Sequence, residues 1–366
     1  MLTYRGFTFV VLLVVGCFNL SKTASNPRTF AAISFRTPLV GWAGGNGFIL
    51  ATKDGGHRWT AQYSGPLSIT SFDFVSQRIG WALGRSGLLR TVDGGANWSV
   101  LPQPRMPLAS VDFLTVNVGW GVFRVREGFH PLDFPPVEGQ LVSTQDGGRT
   151  WTVHTNPRRV QSLCFSDLKH GWIGSQIFVL GTADGGRSWS RSFVVPFPGR
   201  TTSMALVNSF ASARCAGQSV WVWFASSAGA GNQDPYIAYQ RTTKGWKPMF
   251  DEPAFFTSYP PVRVPAGPGS YPGPFEAVTS RIAYFVGRDF GKYTVVVLDT
   301  HDQGKSWKRH TIRGLSLGDN LSASFVGTRY GWIAGRALAR QPNERRGVIL
   351  STDDGGRSWS RIYTLH

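Results

Sequence analysis

Thr182-Ala183-Asp184-Gly185-Gly186-Arg187-Ser188-Trp189 follows the pattern Thr-x-Asp-x-Gly-x-x-Trp, and the same pattern returns five more times. The other copies run from Thr52 to Trp59, Thr91 to Trp98, Thr144 to Trp151, Thr300 to Trp307 and Thr352 to Trp359. Self-similarity of this kind predicts one small supersecondary unit stacked on copies of itself.

Each position of this box has a structural reading. The Asp (Asp54, Asp93, Asp146, Asp184, Asp302, Asp354) precedes a tight turn, where a short carboxylate accepts from backbone N–H groups two or three residues on. The Gly at Asp plus two supplies left-handed backbone without steric cost. The Trp (Trp59, Trp98, Trp151, Trp189, Trp307, Trp359) opens the next strand and lays a large flat ring on its neighbours. One carboxylate per box is a poor ligand set for a metal, so the box is expected to fasten a hairpin.

A second signal is locked to the first. Gly41-Trp42, Gly80-Trp81 and Gly171-Trp172 lie upstream of a box, the aromatic 12 residues before the Asp. Gly119-Trp120 and Gly331-Trp332 precede their boxes at longer spacing, and Val220-Trp221 and Ala283-Tyr284 fill the remaining places. This gives seven units, the fifth degenerate around Thr242 to Trp246, where the Asp is gone. Unit two reads as strands Ser71 to Val75, Gly80 to Gly84, Gly87 to Thr91 and Trp98 to Leu101. The expected fold is therefore all-β: a single seven-bladed β-propeller of four-stranded antiparallel blades over residues 28–366. A chain of 366 residues with 44 glycines, 14 tryptophans and 42% hydrophobic residues suits a turn-rich, aromatic β structure.

The run Gly80-Trp81 through Asp93-Gly94-Gly95-Ala96-Asn97-Trp98 resembles the Asp-box (BNR) propellers, and most closely the photosystem II stability/assembly factor family. The resemblance covers nearly all of residues 28–366. It implies a non-enzymatic protein that binds other proteins, although the same box occurs in sialidases, xyloglucan-cleaving glycosidases and sortilin-type receptors.

The N-terminus carries Arg5 and then an apolar run, Phe7 to Val15, short for a bilayer span and typical of a secretory signal. Val14-Val15-Gly16-Cys17 resembles the bacterial lipobox. Residues 1–17 are thus expected to be a signal peptide ending in a lipidated Cys17 and 18–27 a tether. The alternative is cleavage near Ala24-Ser25; either way the protein is exported. The other two cysteines, Cys164 and Cys215, fall just ahead of Trp-bearing strands and either form one disulfide or remain thiols. No CxxC and no metal-type histidine spacing occurs, so neither a metal nor a cofactor is expected.

Between the Gly-Trp aromatic and the box Asp, units three, six and seven carry insertions, and unit five a long connection. Together with the connection from Asp251 to Glu276, these loops fall on the face opposite the boxes. Loops on a rigid scaffold carry binding, and Arg and aromatic residues form its hot spots. The candidates are Arg124, Arg126, Phe129, His130 and Phe134, then Tyr236, Phe255, Phe256, Tyr259, Arg263 and Tyr271, and finally Arg336, Arg340, Arg345 and Arg346.

A formal net charge of +17 points to an acidic partner: a protein, an acidic glycan or an anionic membrane surface. Nucleic acid is disfavoured by the export signal and the absence of a basic helix or nucleic-acid motif. A monomer is expected. The rival reading is a glycoside hydrolase, which needs two placed carboxyl groups. Glu127, Asp133, Glu138, Asp251, Glu252 and Glu276 are available on the loop face, but no spacing singles out a pair, and the Arg-Ile-Pro segment of sialidases is missing.

Overall fold

The computed structural model describes residues 29–365 apart from 103, 125–138, 196–208, 227–235, 253–266, 270, 289–293, 317–320 and 338–345. The chain around the quoted stretch forms four antiparallel strands in sequence order, Ser162–Phe165, Gly171–Ser175, Phe178–Thr182 and Ser190–Val194. The first two are buried throughout, while the last exposes Ser190, Arg191 and Val194. This gradient is that of a sheet standing radially in a ring: neighbouring sheets cover the inner strands on both faces, and the outer strand meets solvent at the rim.

Seven separate four-stranded blades do not form. The strands make six sheets, five of four strands and one of six. The six-stranded sheet runs from Phe30–Phe35 to Ser99–Val100 and takes in the first two sequence units. The cause is the strand Thr60–Phe74, 15 residues without a break. Its start pairs with the preceding strand (Ala51↔Thr60), and its end pairs with the following one (Phe74↔Gly80). Leu67 and Ile69 are buried within it, which holds the passage from one unit to the next extended against the core. Five further units form one four-stranded sheet each.

The Gly-Trp aromatics join the units. Trp42 stacks on Phe74, Trp81 on Phe113 and Trp120 on Phe165, with ring centroids 3.6–3.7 Å apart. Each indole also donates to a box glycine of the following unit: Trp42 to Gly94 O at 3.1 Å, Trp81 to Gly147 O at 2.9 Å and Trp120 to Gly185 O at 3.3 Å. The box Trp then meets the same Phe edge-on, as Trp98 meets Phe74 and Trp189 meets Phe165. Each Phe is thus held between two tryptophans. Such pairs add about 0.5–1.5 kcal/mol beyond the area they bury.

The last sheet closes on the first by the same device. Phe35 stacks on Trp332 at 3.6 Å and Trp332 Nε1 donates to Gly55 O at 2.8 Å. The Ser322 and Ser324 hydroxyls accept from Ile33 N at 3.0 Å and Phe35 N at 2.9 Å. Phe30–Phe35 and Ser360–Thr364 pair only within their own sheets, so closure is by packing without strand exchange. A disulfide joins Cys164 to Cys215, whose Cα atoms are 5.5 Å apart, and so ties two neighbouring sheets.

Candidate functional site

The box turns define one end of the ring. In all six the Thr hydroxyl donates to the Asp carboxylate and accepts from the N–H of the Gly two residues after that Asp, for example at 2.8 Å each from Thr91. The Asp carboxylate takes a backbone hydrogen bond four residues on, as from Asn97 N to Asp93 at 2.9 Å and Ser306 N to Asp302 at 3.0 Å, and Asp184 and Asp354 also take the expected one three residues on, from Arg187 N at 3.0 Å and Arg357 N at 2.9 Å. Side chains four residues on add another bond, as Ser188 Oγ does to Asp184 at 2.6 Å. The Asn97 backbone and then its side-chain amide hold the Asp93 carboxyl at about 2, and every box Asp is lowered. These carboxylates are consumed by their own turns. Both residues after the Asp are left-handed, and at the first of them Gln303 replaces the glycine of the other five with φ 67°.

At the other end the second strand of each unit finishes. Four residues after the aromatic stand Arg85, Arg124, Arg288 and Arg336; the last three end their strands on the same side as the ring because side chains alternate, and Arg85 stands in the turn that follows Gly80–Gly84. Arg124 pairs with Gly139, Arg288 with Val295 and Arg336 with Gly347, which places all of these at the mouth of a hairpin. Arg85 is exposed, Arg124 and Arg336 are half-buried, and Arg288 is 8% exposed. Arg105, Arg158, Arg159 and Arg346 lie exposed nearby in the chain course. The segments that follow carry charges of both signs in sequence. Trp-x-x-x-Arg, with Tyr284 in one copy, was the available sequence signal for Arg85 and Arg288, which the insertion arithmetic passed over.

The other expected residues divide. Tyr236 is corrected from loop to core: it opens the strand Tyr236–Thr242, is 2% exposed, and donates its hydroxyl to Gly269 O at 2.6 Å. Tyr271 belongs to the strand Tyr271–Ala277 and pairs with Arg288, so the connection after Asp251 is shorter than its sequence suggests. Arg126, Phe129, His130, Phe134, Phe255, Phe256, Tyr259, Arg263, Arg340, Arg345 and Cys17 lie outside the described residues. Glu276 is corrected as well. It pairs with Tyr284 at the box end of an inner strand, away from the loop face.

That register collects further charged groups. Opposite four of the seven second-strand aromatics the inner strands present a charged residue, Asp73 (on Trp81), Asp112 (on Trp120), Arg214 (on Trp221) and Glu276 (on Tyr284); Ser34, Cys164 and Ser324 face the other three. Burial pushes Glu276 up to about 7, against the pull of Arg214. Asp73 is also raised by burial and then by repulsion from Asp112, with Arg36 opposing; Asp112 is raised by burial, with the Phe165 N–H and Arg214 opposing. All three keep some solvent contact while protein surrounds them. Among the described residues no group of three or more His, Cys, Asp or Glu is arranged to hold a metal ion.

A ring of antiparallel sheets with boxes at one end and arginines at the other defines a β-propeller. No family model and no curated protein matches the sequence. Among solved structures the chain is similar to YCF48 bound to a D1 peptide, with 17% identity over 90% of this chain and 94% of that one and a TM-score of 0.53. It is likewise similar to YCF48 from Cyanidioschyzon merolae, with 16% identity, coverage of 90% and 96%, and a TM-score of 0.54. A PL25 ulvan lyase matches at 10% identity, 92% and 94% coverage and a TM-score of 0.50. At such identities the likeness establishes the propeller fold, which binding proteins and enzymes share.

Proposed function

We propose that this protein is an exported, non-catalytic binding platform of the photosystem II assembly factor-like kind, whose loop face receives an acidic segment of a protein partner. The observation that carries this reading is the register-equivalent set Arg85, Arg124, Arg288 and Arg336 at one end of the ring. Guanidinium groups whose backbone is held in a strand, as for Arg124, Arg288 and Arg336, or in the short turn of Arg85, form charge-assisted pairs with carboxylates at a reduced entropy cost. The complex of YCF48 with a D1 peptide supports a polypeptide ligand on this kind of fold. The box turns support a grouping of the chain with Asp-box (BNR) propellers. On the same reading residues 1–17 are a signal peptide, Cys17 carries lipid, 18–27 form a tether, and the monomeric ring works outside the cytoplasm; mass spectrometry of the membrane fraction tests the lipid directly.

The glycan-cleaving alternative has protonatable carboxyls to draw on. Two of the three are already engaged, Asp73 by Phe113 N and Asp112 by Phe165 N, and Glu276 faces Arg214. The test is affinity capture from envelope extract with the wild type beside Arg85→Ala/Arg124→Ala/Arg336→Ala, which spares the buried Arg288. A protein partner retained by the first and lost with the second is the expected result. Equal capture by both, or cleavage of a glycan array by the wild type, overturns the proposal.

A further inference from the structure

Consecutive inner strands are joined at one register. Asp73, next to Phe74, accepts from Phe113 N of the following unit at 2.6 Å. Asp112, next to Phe113, accepts from Phe165 N of the unit after at 2.6 Å. Where the ring closes, Ser324 accepts from Phe35 N at the equivalent place. Between the next two units that place is taken by the disulfide: Cys164 stands where the acceptors stand, and Cys215 where the donors stand. Three successive junctions and the closure of the ring thus use one clasp position with different chemistry, and only the two carboxylates among them can change charge.

We propose that Asp73 and Asp112 form a pH-sensitive pair of clasps between consecutive inner strands: each N–H···O bond holds in either state, but when both carboxylates ionise their mutual repulsion and burial outweigh the strengthening of the bonds and loosen the junctions. The geometry supplies the reason. The two clasps lie at the same level on neighbouring strands, and the charged groups that face them are few: Arg36 towards Asp73, Arg214 towards Asp112, and Glu276, which shares Arg214. Two enclosed negative charges repel, and burial favours the neutral acid. Both carboxyls are accordingly raised above the ordinary carboxylate range. The sign follows by linkage. A carboxyl raised on folding keeps its proton in the native state while the unfolded chain has lost it, so stability falls as pH rises through the folded-state range. This is opposite to the box aspartates, and it is independent of the loop-face reading.

The test uses the full chain and reads the donor of each clasp, since an amide bonded to a carboxylate moves in chemical shift as that carboxylate titrates. Between about pH 5 and about pH 9, the range spanned by the raised groups, the Phe113 and Phe165 amides of the wild type are expected to titrate. In Asp73→Asn, which retains an acceptor oxygen, the Phe113 titration disappears and the fall of melting temperature across that range is reduced. Asp112→Asn does the same for Phe165 and serves if the first variant does not fold. Glu276→Gln leaves both amides titrating and separates its own charge. Amides that stay flat across the range in the wild type, or titrate unchanged in the Asn variants, overturn the clasp.

Discussion

At the box turn beginning at Thr91 one hydroxyl does two jobs: it donates to Asp93 and accepts from Gly95 N, and Thr91 is 2% exposed. Thr91→Val keeps the shape but leaves the buried Gly95 N–H without an acceptor. The expected loss is about 1–3 kcal/mol, read as a lower urea midpoint with an unchanged slope; an unchanged midpoint would refute the role given to the hydroxyl. The box carboxylates act at another pH. Lowered on folding, they contribute stability above the ordinary carboxylate range and lose it as pH falls towards about 2. At this scale the sequence was highly legible, because Thr, Asp, Gly and Trp recur at fixed spacing and each has one job. The first left-handed residue was less so, since Gln303 holds the place elsewhere filled by Gly.

Among elements, the second strand and its aromatic govern how one unit meets the next. Trp81 is fully buried, stacked on Phe113 and bonded to Gly147 O, whereas the Trp221 indole N–H finds no acceptor among the described residues. Trp81→Phe and Trp221→Phe remove the same volume, but only the first leaves a carbonyl without its donor. The first is therefore expected to cost about 1 kcal/mol more by denaturant unfolding; equal losses would show that the bond adds nothing. The degenerate fifth unit follows from the same economy. Without its Asp it turns tightly from Thr242 to Gly245, the Thr242 hydroxyl donating to Gly245 O at 2.8 Å. The sequence announced this hairpin through Thr242 and Trp246, but it misplaced Tyr236, which adjoins the long connection of unit five and instead starts a buried strand.

For the molecule as a whole, repeats predict units better than they predict sheets. The unbroken strand Thr60–Phe74 merges the first two units into one sheet, and nothing in the repeat itself encodes whether a short link stays extended. Arg124 and Arg336 were legible because they adjoin insertions, whereas Asp73 and Asp112 looked like ordinary inner-strand residues until closure set them side by side. The central claim is that the arginine end of the ring, and not the box end, meets the partner. Its most direct test places a photo-crosslinking amino acid at Ser86, exposed beside Arg85, and separately at Arg187, exposed in a box turn. A partner adduct from position 86 and none from position 187 is the predicted result; an adduct from position 187 alone would contradict the account.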